Sequence, residues 1–137
     1  MNRDALARSL SSIVGERQVL LRPSELLVYA SDGLPGYRHE PALAVFPRTR
    51  EELIAVVRLL ARERVPFVPR GAGTGLSGGA LAEGSVLLGL NRLTRVLSVD
   101  AENRLAVVEP GVVNVHLTRA VTPFGLHYAP DPSSQAA

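Results

Sequence analysis

Apolar residues at the start of the chain recur with the spacing of helices. Their period predicts a first helix that Asn2 caps and Gly15 ends. Pro23 suits the first turn of a second helix, which carries further apolar residues. Residues 33–41 contain repeated glycine and proline and therefore form a loop, in which His39 is interpreted as a solvated histidine.

Residues 42–68 have the pattern of a strand, a helix and a second strand. Short apolar runs at 42–46 and 65–68 flank a segment in which Thr49 and Glu52 have capping-box spacing, so that each side chain can cap the other's backbone N–H. The pattern predicts a βαβ unit with parallel strands and a right-handed crossover.

The remainder of the chain reads as short strands followed by a helix. Residues 86–90 form an apolar strand, and the runs 95–99 and 104–108 predict a hairpin around four polar residues. A further helix is expected at 113–121. The proline-rich segment 130–134 cannot lie inside a helix.

A glycine-rich stretch at residues 69–80 follows the strand at 65–68. Six of the twelve glycines lie between Gly71 and Gly84. Glycine leaves no Cβ in the way and permits positive φ, so backbone N–H groups can converge on a bound anion. At the carboxyl end of a strand in an α/β sheet, such a loop predicts a site for the phosphates of a nucleotide-type cofactor. The alternative is a surface connection without a ligand.

Two standard phosphate loops do not fit this stretch. Gly73, Gly75 and Gly78 match G-x-G-x-x-G, but a strand and not a helix follows them. A Walker A loop needs a lysine, and all fifteen basic residues of this chain are arginine.

Composition restricts the partners. The 137 residues have room for one domain, and the net charge of +2 comes from arginines interspersed with glutamates, which argues against a nucleic-acid surface. The chain has no cysteine and thus no thiolate metal site, so an iron–sulfur cluster would belong to another subunit. The chain shows no signal peptide and no apolar run long enough for a bilayer, which predicts a cytoplasmic protein or one peripheral to the inner face of the membrane.

The order of these elements, with Pro-Arg-Gly-Ala-Gly-Thr-Gly-Leu-Ser-Gly-Gly-Ala, Val-Glu-Pro-Gly-Val and Pro-Asp-Pro-Ser-Ser, resembles a known family. It is similar to the FAD-binding domain of the vanillyl-alcohol-oxidase (PCMH) type, closest to its glycolate oxidase and D-lactate dehydrogenase branch. The resemblance implies an α+β fold: a first α/β subdomain and the start of a second, β-rich one. Its parts are a helical lead-in at 1–41, the βαβ unit with the glycine loop and strand at 42–90, and the hairpin, helix and truncated tail at 91–137.

The resemblance implies noncovalent FAD as the cofactor, because Thr74 stands where some relatives carry a flavin-linking histidine. The glycine loop would hold the pyrophosphate, Pro110 and Gly111 the adenosine side, and the 130–134 segment the flavin side. The implied FAD-binding positions are Arg70, Gly71, Ala72, Gly73, Thr74, Gly75, Leu76, Pro110, Gly111, Pro130, Asp131, Ser133 and Ser134.

For the whole protein, the resemblance implies a flavin-dependent oxidoreductase that acts on a 2-hydroxy acid such as glycolate or D-lactate. No catalytic residue is assigned in this chain, since the substrate-binding residues are expected beyond Ala137 and His127 is not a candidate. This part alone is therefore expected to be inactive and to bind FAD weakly or not at all. An iron–sulfur subunit and a second flavin-type subunit are the implied partners, and the fragment could also self-associate.

Two alternatives stay open at this point. The same FAD domain occurs in other oxidases and in an ether-lipid-type transferase. The second alternative is a noncatalytic nucleotide-binding or interaction module. In such a module, residues 86–90 and both hairpin strands would leave unpaired edges.

Overall fold

The computed structural model describes residues 2–34, 36–129, 132–134 and 136–137. The chain divides into two compact units, Met1–Arg92 and Leu93–Ala137. The first unit contains α1 (Arg3–Val14), β1 (Val19–Leu20), α2 (Pro23–Leu26), β2 (Leu43–Val45), α3 (Arg50–Arg62), β3 (Phe67–Arg70) and β4 (Val86–Gly89). The second contains β5 (Val96–Asp100), β6 (Leu105–Val108) and α4 (Asn114–Val121).

The first unit is built on a four-stranded sheet in the order β1-β2-β4-β3. β4 pairs in parallel with β2 on one side and with β3 on the other, so β2 and β3 run in the same direction, as predicted. The expectation that residues 86–90 would have an unpaired edge is wrong. The helical crossover from β2 to β3 skips one strand position, and β4 fills it.

Alternating side chains of β2 and β4 build two cores, one on each face of the sheet. Leu43 and Val45 join the cluster that α1 and α3 supply, whereas Ala44 packs on the opposite face with Phe46 and Leu26. This is the period of two expected for strands. All four residues of β4 are buried, which suits a parallel strand covered on both faces.

Local capping explains where the two long helices begin. Asn2 accepts a hydrogen bond from the Ala5 N–H, and Thr49 accepts one from the Glu52 N–H at 3.1 Å. The predicted reciprocal bond from Glu52 to the N–H of Thr49 is not the one formed. The Glu52 carboxylate instead accepts from the Arg48 N–H, one residue earlier, at 2.7 Å.

The lead-in contains two features that periodicity did not predict. β1 is only two residues long and pairs antiparallel with β2, too short to show alternation in the sequence. The second helix is a single turn, α2, that continues as a 3₁₀ turn at Leu27–Tyr29. These irregular segments bring Tyr29 and the residues after it under the glycine loop.

The second unit contains the predicted hairpin and helix. β5 and β6 pair antiparallel around a turn in which Asp100 accepts from the Asn103 backbone and side-chain N–H groups. Leu97, Leu105 and Val107 are each more than half exposed on this hairpin.

Candidate functional site

The glycine loop connects the carboxyl end of β3 to the start of its parallel neighbour β4. Parallel neighbours require a long crossover, which is usually a helix. Here residues 71–85 make it as irregular chain, and residues 71, 72 and 74–77 are exposed. The loop therefore stands at the sheet edge where α/β folds bind their ligands.

The backbone of this loop has many unused donors. Within the part of the chain that the structure describes, none of the N–H groups from Gly71 to Ser77 donates to a protein acceptor. A Cβ added at Gly71 or Gly75 would meet no atom within 4 Å. An accessible run of unpaired amides is the donor set that binds phosphate oxygens in glycine-rich loops.

Arg70, the last residue of β3, turns its side chain into the protein. The residue is only 9% exposed. Its Nη1 donates to the carbonyls of Ser31 at 2.8 Å, Tyr29 at 3.3 Å and Ala80 at 3.5 Å. The guanidinium carbon lies 5.8 Å from the centroid of the Tyr29 ring, within cation–π range.

Asp32 holds the loop from the other side. One carboxylate oxygen accepts from the Gly78 N–H at 3.0 Å and the other from the Leu34 N–H at 2.9 Å. The next residue, Gly33, donates its N–H to the Gly75 carbonyl at 3.0 Å. The lead-in and the loop are thus joined by main-chain and carboxylate hydrogen bonds.

A half-buried histidine borders the same loop. His39 Nδ1 lies 3.2 Å from the Glu83 carboxylate, and both residues line a shallow groove beside Leu76 and Ser77. The described residues contain no group of three or more histidine, cysteine or acidic side chains that could hold a metal ion. Among them, no helix combines the length and apolar character needed to cross a bilayer.

A second cluster surrounds the Glu-Pro-Gly corner in the second unit. Glu109 is buried, and its carboxylate accepts from the Arg95 backbone N–H and from the Arg95 guanidinium, at 2.7–2.9 Å. These hydrogen bonds hold the pKa of Glu109 below its usual range. The Gly111 N–H donates to the Leu93 carbonyl at 2.8 Å, so the corner at Pro110 and Gly111 is fixed from both ends.

The sequence-predicted site residues are divided between the two units. In the first unit, residues 70–76 form one loop with Arg70 directed inward and Leu76 65% exposed. In the second, Pro110 is exposed and Ser133 and Ser134 lie in an exposed turn. Pro130 and Asp131 are outside the described residues.

Sequence reasoning missed Asp32, Gly33 and Tyr29 as parts of the site. The Asp32-Gly33 pair was readable as a turn signal. Its partners lie far along the chain, in the glycine loop, and no local pattern links the two segments.

The chain is similar to several known proteins. Residues 41–137 match the family model described as the FAD binding domain. The glycolate oxidase subunit GlcD of Escherichia coli (strain K12) is 44% identical over 138 residues, covering 100% of this chain and 28% of that protein. A probable mitochondrial D-lactate dehydrogenase of Danio rerio is 30% identical over 135 residues, covering 98% of this chain and 27% of that protein.

A solved structure shares the fold at lower identity. Alkyldihydroxyacetonephosphate synthase superposes with a TM-score of 0.82 at 20% identity, over 98% of this chain and 30% of that one. The chain spans just over a quarter of the length of these relatives. The likeness to the synthase concerns the fold alone.

Proposed function

Because the chain belongs to the family of FAD binding domains, we propose that it supplies the diphosphate-binding part of a flavin-dependent oxidoreductase. Its substrate would be a 2-hydroxy acid of the glycolate or D-lactate kind. Relatives named for glycolate and for D-lactate support this substrate class, since both acids carry a hydroxyl group next to a carboxylate.

The observation that carries the proposal is the run of unpaired N–H groups from Gly71 to Ser77. A diphosphate offers only acceptors, and this stretch offers backbone N–H donors and the hydroxyl groups of Thr74 and Ser77, with no carboxylate among its side chains. The open space at Gly71 and Gly75 lets an oxygen approach the backbone. The residues present therefore fit the diphosphate of FAD.

Other contacts follow as parts of the same proposal. When bound, FAD supplies the electron-accepting ring for such a reaction. Pro110 and Gly111 would border the adenosine, and the hydroxyls of Ser133 and Ser134 would donate to ribityl or flavin oxygens. The loop would form no covalent bond to FAD through a histidine, since it carries Thr74 and none of the three histidines.

The role of this chain is cofactor binding and not proton transfer. We assign no substrate-binding or proton-accepting residue in it, and we expect the 137 residues alone to be inactive. The exposed apolar hairpin residues Leu97, Leu105 and Val107 support a covering partner, which could be another subunit or a second copy. An iron–sulfur subunit, a second flavin-type subunit and a location in the cytoplasm or at the inner face of the membrane are further elements of this proposal.

The test is cofactor binding by the natural gene product that contains these residues. Ala72→Glu adds a carboxylate to the exposed loop and should lower FAD affinity about tenfold or more, because it repels the diphosphate. Ala61→Glu, on exposed helix surface, is the matched control. Equal FAD affinity in both variants would contradict the assignment of the loop.

Reduction of the bound flavin tests the reaction separately. Anaerobic addition of glycolate or D-lactate should bleach the flavin absorbance of the natural gene product. A protein that binds FAD but is reduced by no 2-hydroxy acid would favour another oxidase or a transferase. A protein that binds no FAD would favour the noncatalytic alternative.

A further inference from the structure

We propose that Arg70 and Asp32 are positioning residues that set the shape of the glycine loop before any ligand binds. The inference rests on the proposed function, because the loop they shape is the diphosphate site. Both side chains would contribute to FAD binding by holding the loop backbone, and neither would contact the phosphates itself.

The hydrogen bonds of Arg70 connect two separate segments of the chain. A buried guanidinium is costly unless its N–H groups are satisfied. Its Nη1 donates to main-chain carbonyls of two separated segments, those of Tyr29 and Ser31 before the loop and that of Ala80 at its end. None of the ion pairs among the described residues includes Arg70. The side chain therefore links the lead-in to the far end of the loop.

Gly73 shows how closely the loop follows this side chain. A Cβ at position 73 would overlap the Arg70 guanidinium, and Gly73 has a φ of +74°. Both conditions select glycine. The loop backbone at Gly73 thus packs directly against the guanidinium.

Asp32 divides the loop amides into two sets. Its carboxylate already accepts from the Gly78 N–H at 3.0 Å, so that amide is occupied. The N–H groups of residues 71–77 remain for the ligand. The occupied Gly78 amide therefore ends the continuous run of unpaired N–H groups at Ser77.

Such internal ties raise affinity by lowering the cost of ordering the loop on binding. They also predict what a substitution does in the absence of ligand. A residue that only touched phosphate would leave the empty loop unchanged. A positioning residue would loosen it.

The first experiment is amide hydrogen exchange of the ligand-free natural gene product. In Arg70→Met, the hydrogen-bonded amides of Gly33, Gly78 and Leu81 should exchange about tenfold faster. Arg70→Lys should not restore protection, because lysine lacks the planar guanidinium against which the backbone of Gly73 packs. Arg58→Met, on the exposed face of α3, is the control and should leave these amides unchanged.

The second experiment measures affinity for FAD and for riboflavin, which has no diphosphate. Arg70→Met should weaken FAD binding about tenfold or more and leave riboflavin binding unchanged. Weakened FAD binding with unchanged ligand-free exchange would overturn the proposal in favour of direct phosphate contact. Unchanged exchange and affinity would overturn it outright.

Asp32→Asn provides a milder variant if Arg70→Met does not fold. The amide keeps one acceptor oxygen, so either Gly78 or Leu34 should lose exchange protection while the other keeps it. Protection of both would contradict the role of Asp32. A wild type that binds no FAD would refute the proposed function, whereas the exchange results would still decide the positioning role.

Discussion

Replacing Gly33 with alanine tests the close approach between the lead-in and the glycine loop. A Cβ at this position would lie 2.6 Å from the Thr74 carbonyl oxygen and 2.9 Å from that of Gly75. Both are backbone atoms, so no side-chain rotation can relieve the overlap. The two segments must separate, and the Gly33 N–H bond to the Gly75 carbonyl must lengthen or break.

The expected cost can be worked out from this geometry. Overpacking costs about 1–3 kcal/mol, and the lost hydrogen bond adds about 1 kcal/mol. The φ of Gly33 is outside the positive range, so alanine fits the backbone and recovers about 0.4–1 kcal/mol by restricting the unfolded chain. We expect Gly33→Ala to lower the free energy of unfolding by about 2 kcal/mol.

Equilibrium urea unfolding, followed by circular dichroism, measures this difference. Gly36→Ala is the matched control from the same loop, since a Cβ there would meet no atom within 4 Å. It should be neutral or slightly stabilising. Gly33→Ala should also weaken FAD binding. If the two variants unfolded within about 0.5 kcal/mol of each other, the close approach at Gly33 would be refuted.

Two further predictions concern the centre of the sheet and the Glu-Pro-Gly corner. Gly89→Ala should destabilise the protein by about 1–3 kcal/mol in the same unfolding assay, because its Cβ would overlap the buried Phe46 ring. Gly79→Ala is the control, since a Cβ there would meet open space. Equal stability of the two variants would contradict the packing of Phe46 against Gly89. Arg95 lowers the folded-state pKa of Glu109. The ionised Glu109 carboxylate therefore stabilises the fold at pH values above its ordinary pKa of about 4.3. This stabilisation is lost as the pH falls through the lower folded-state pKa. Glu109→Gln should therefore reduce the dependence of unfolding free energy on acid pH, and an unchanged acid profile would contradict the ion pair.

Local chemistry accounts for the elements that were predicted correctly. Asn2 and Thr49 start their helices through bonds to amides three residues away, so the signal lies within one turn of sequence. The hairpin around Asp100 is equally local. The glycine loop could be recognised because Gly71–Gly79 depart strongly from the rest of the composition, and the fold it implied agrees with the relatives.

The missed features depend on partners distant in sequence. β1 is two residues long and exists as a strand because β2 offers it an edge. The insertion of β4 between β2 and β3 depends on which strands pair, and the apolar run at 86–90 does not encode its neighbours.

The sequence alone determined the class of fold, the position of the glycine-rich loop and the family resemblance that points to FAD. These features depend on short-range patterns, because the interactions behind them form between residues that are close in the sequence. Only the tertiary structure decided how the loop is held. Arg70 was predicted as a contact to the cofactor, and the fold turns its side chain inward onto the carbonyls of Tyr29, Ser31 and Ala80. A guanidinium takes the acceptors that its buried surroundings provide, and those surroundings exist only once the lead-in has packed beneath the loop.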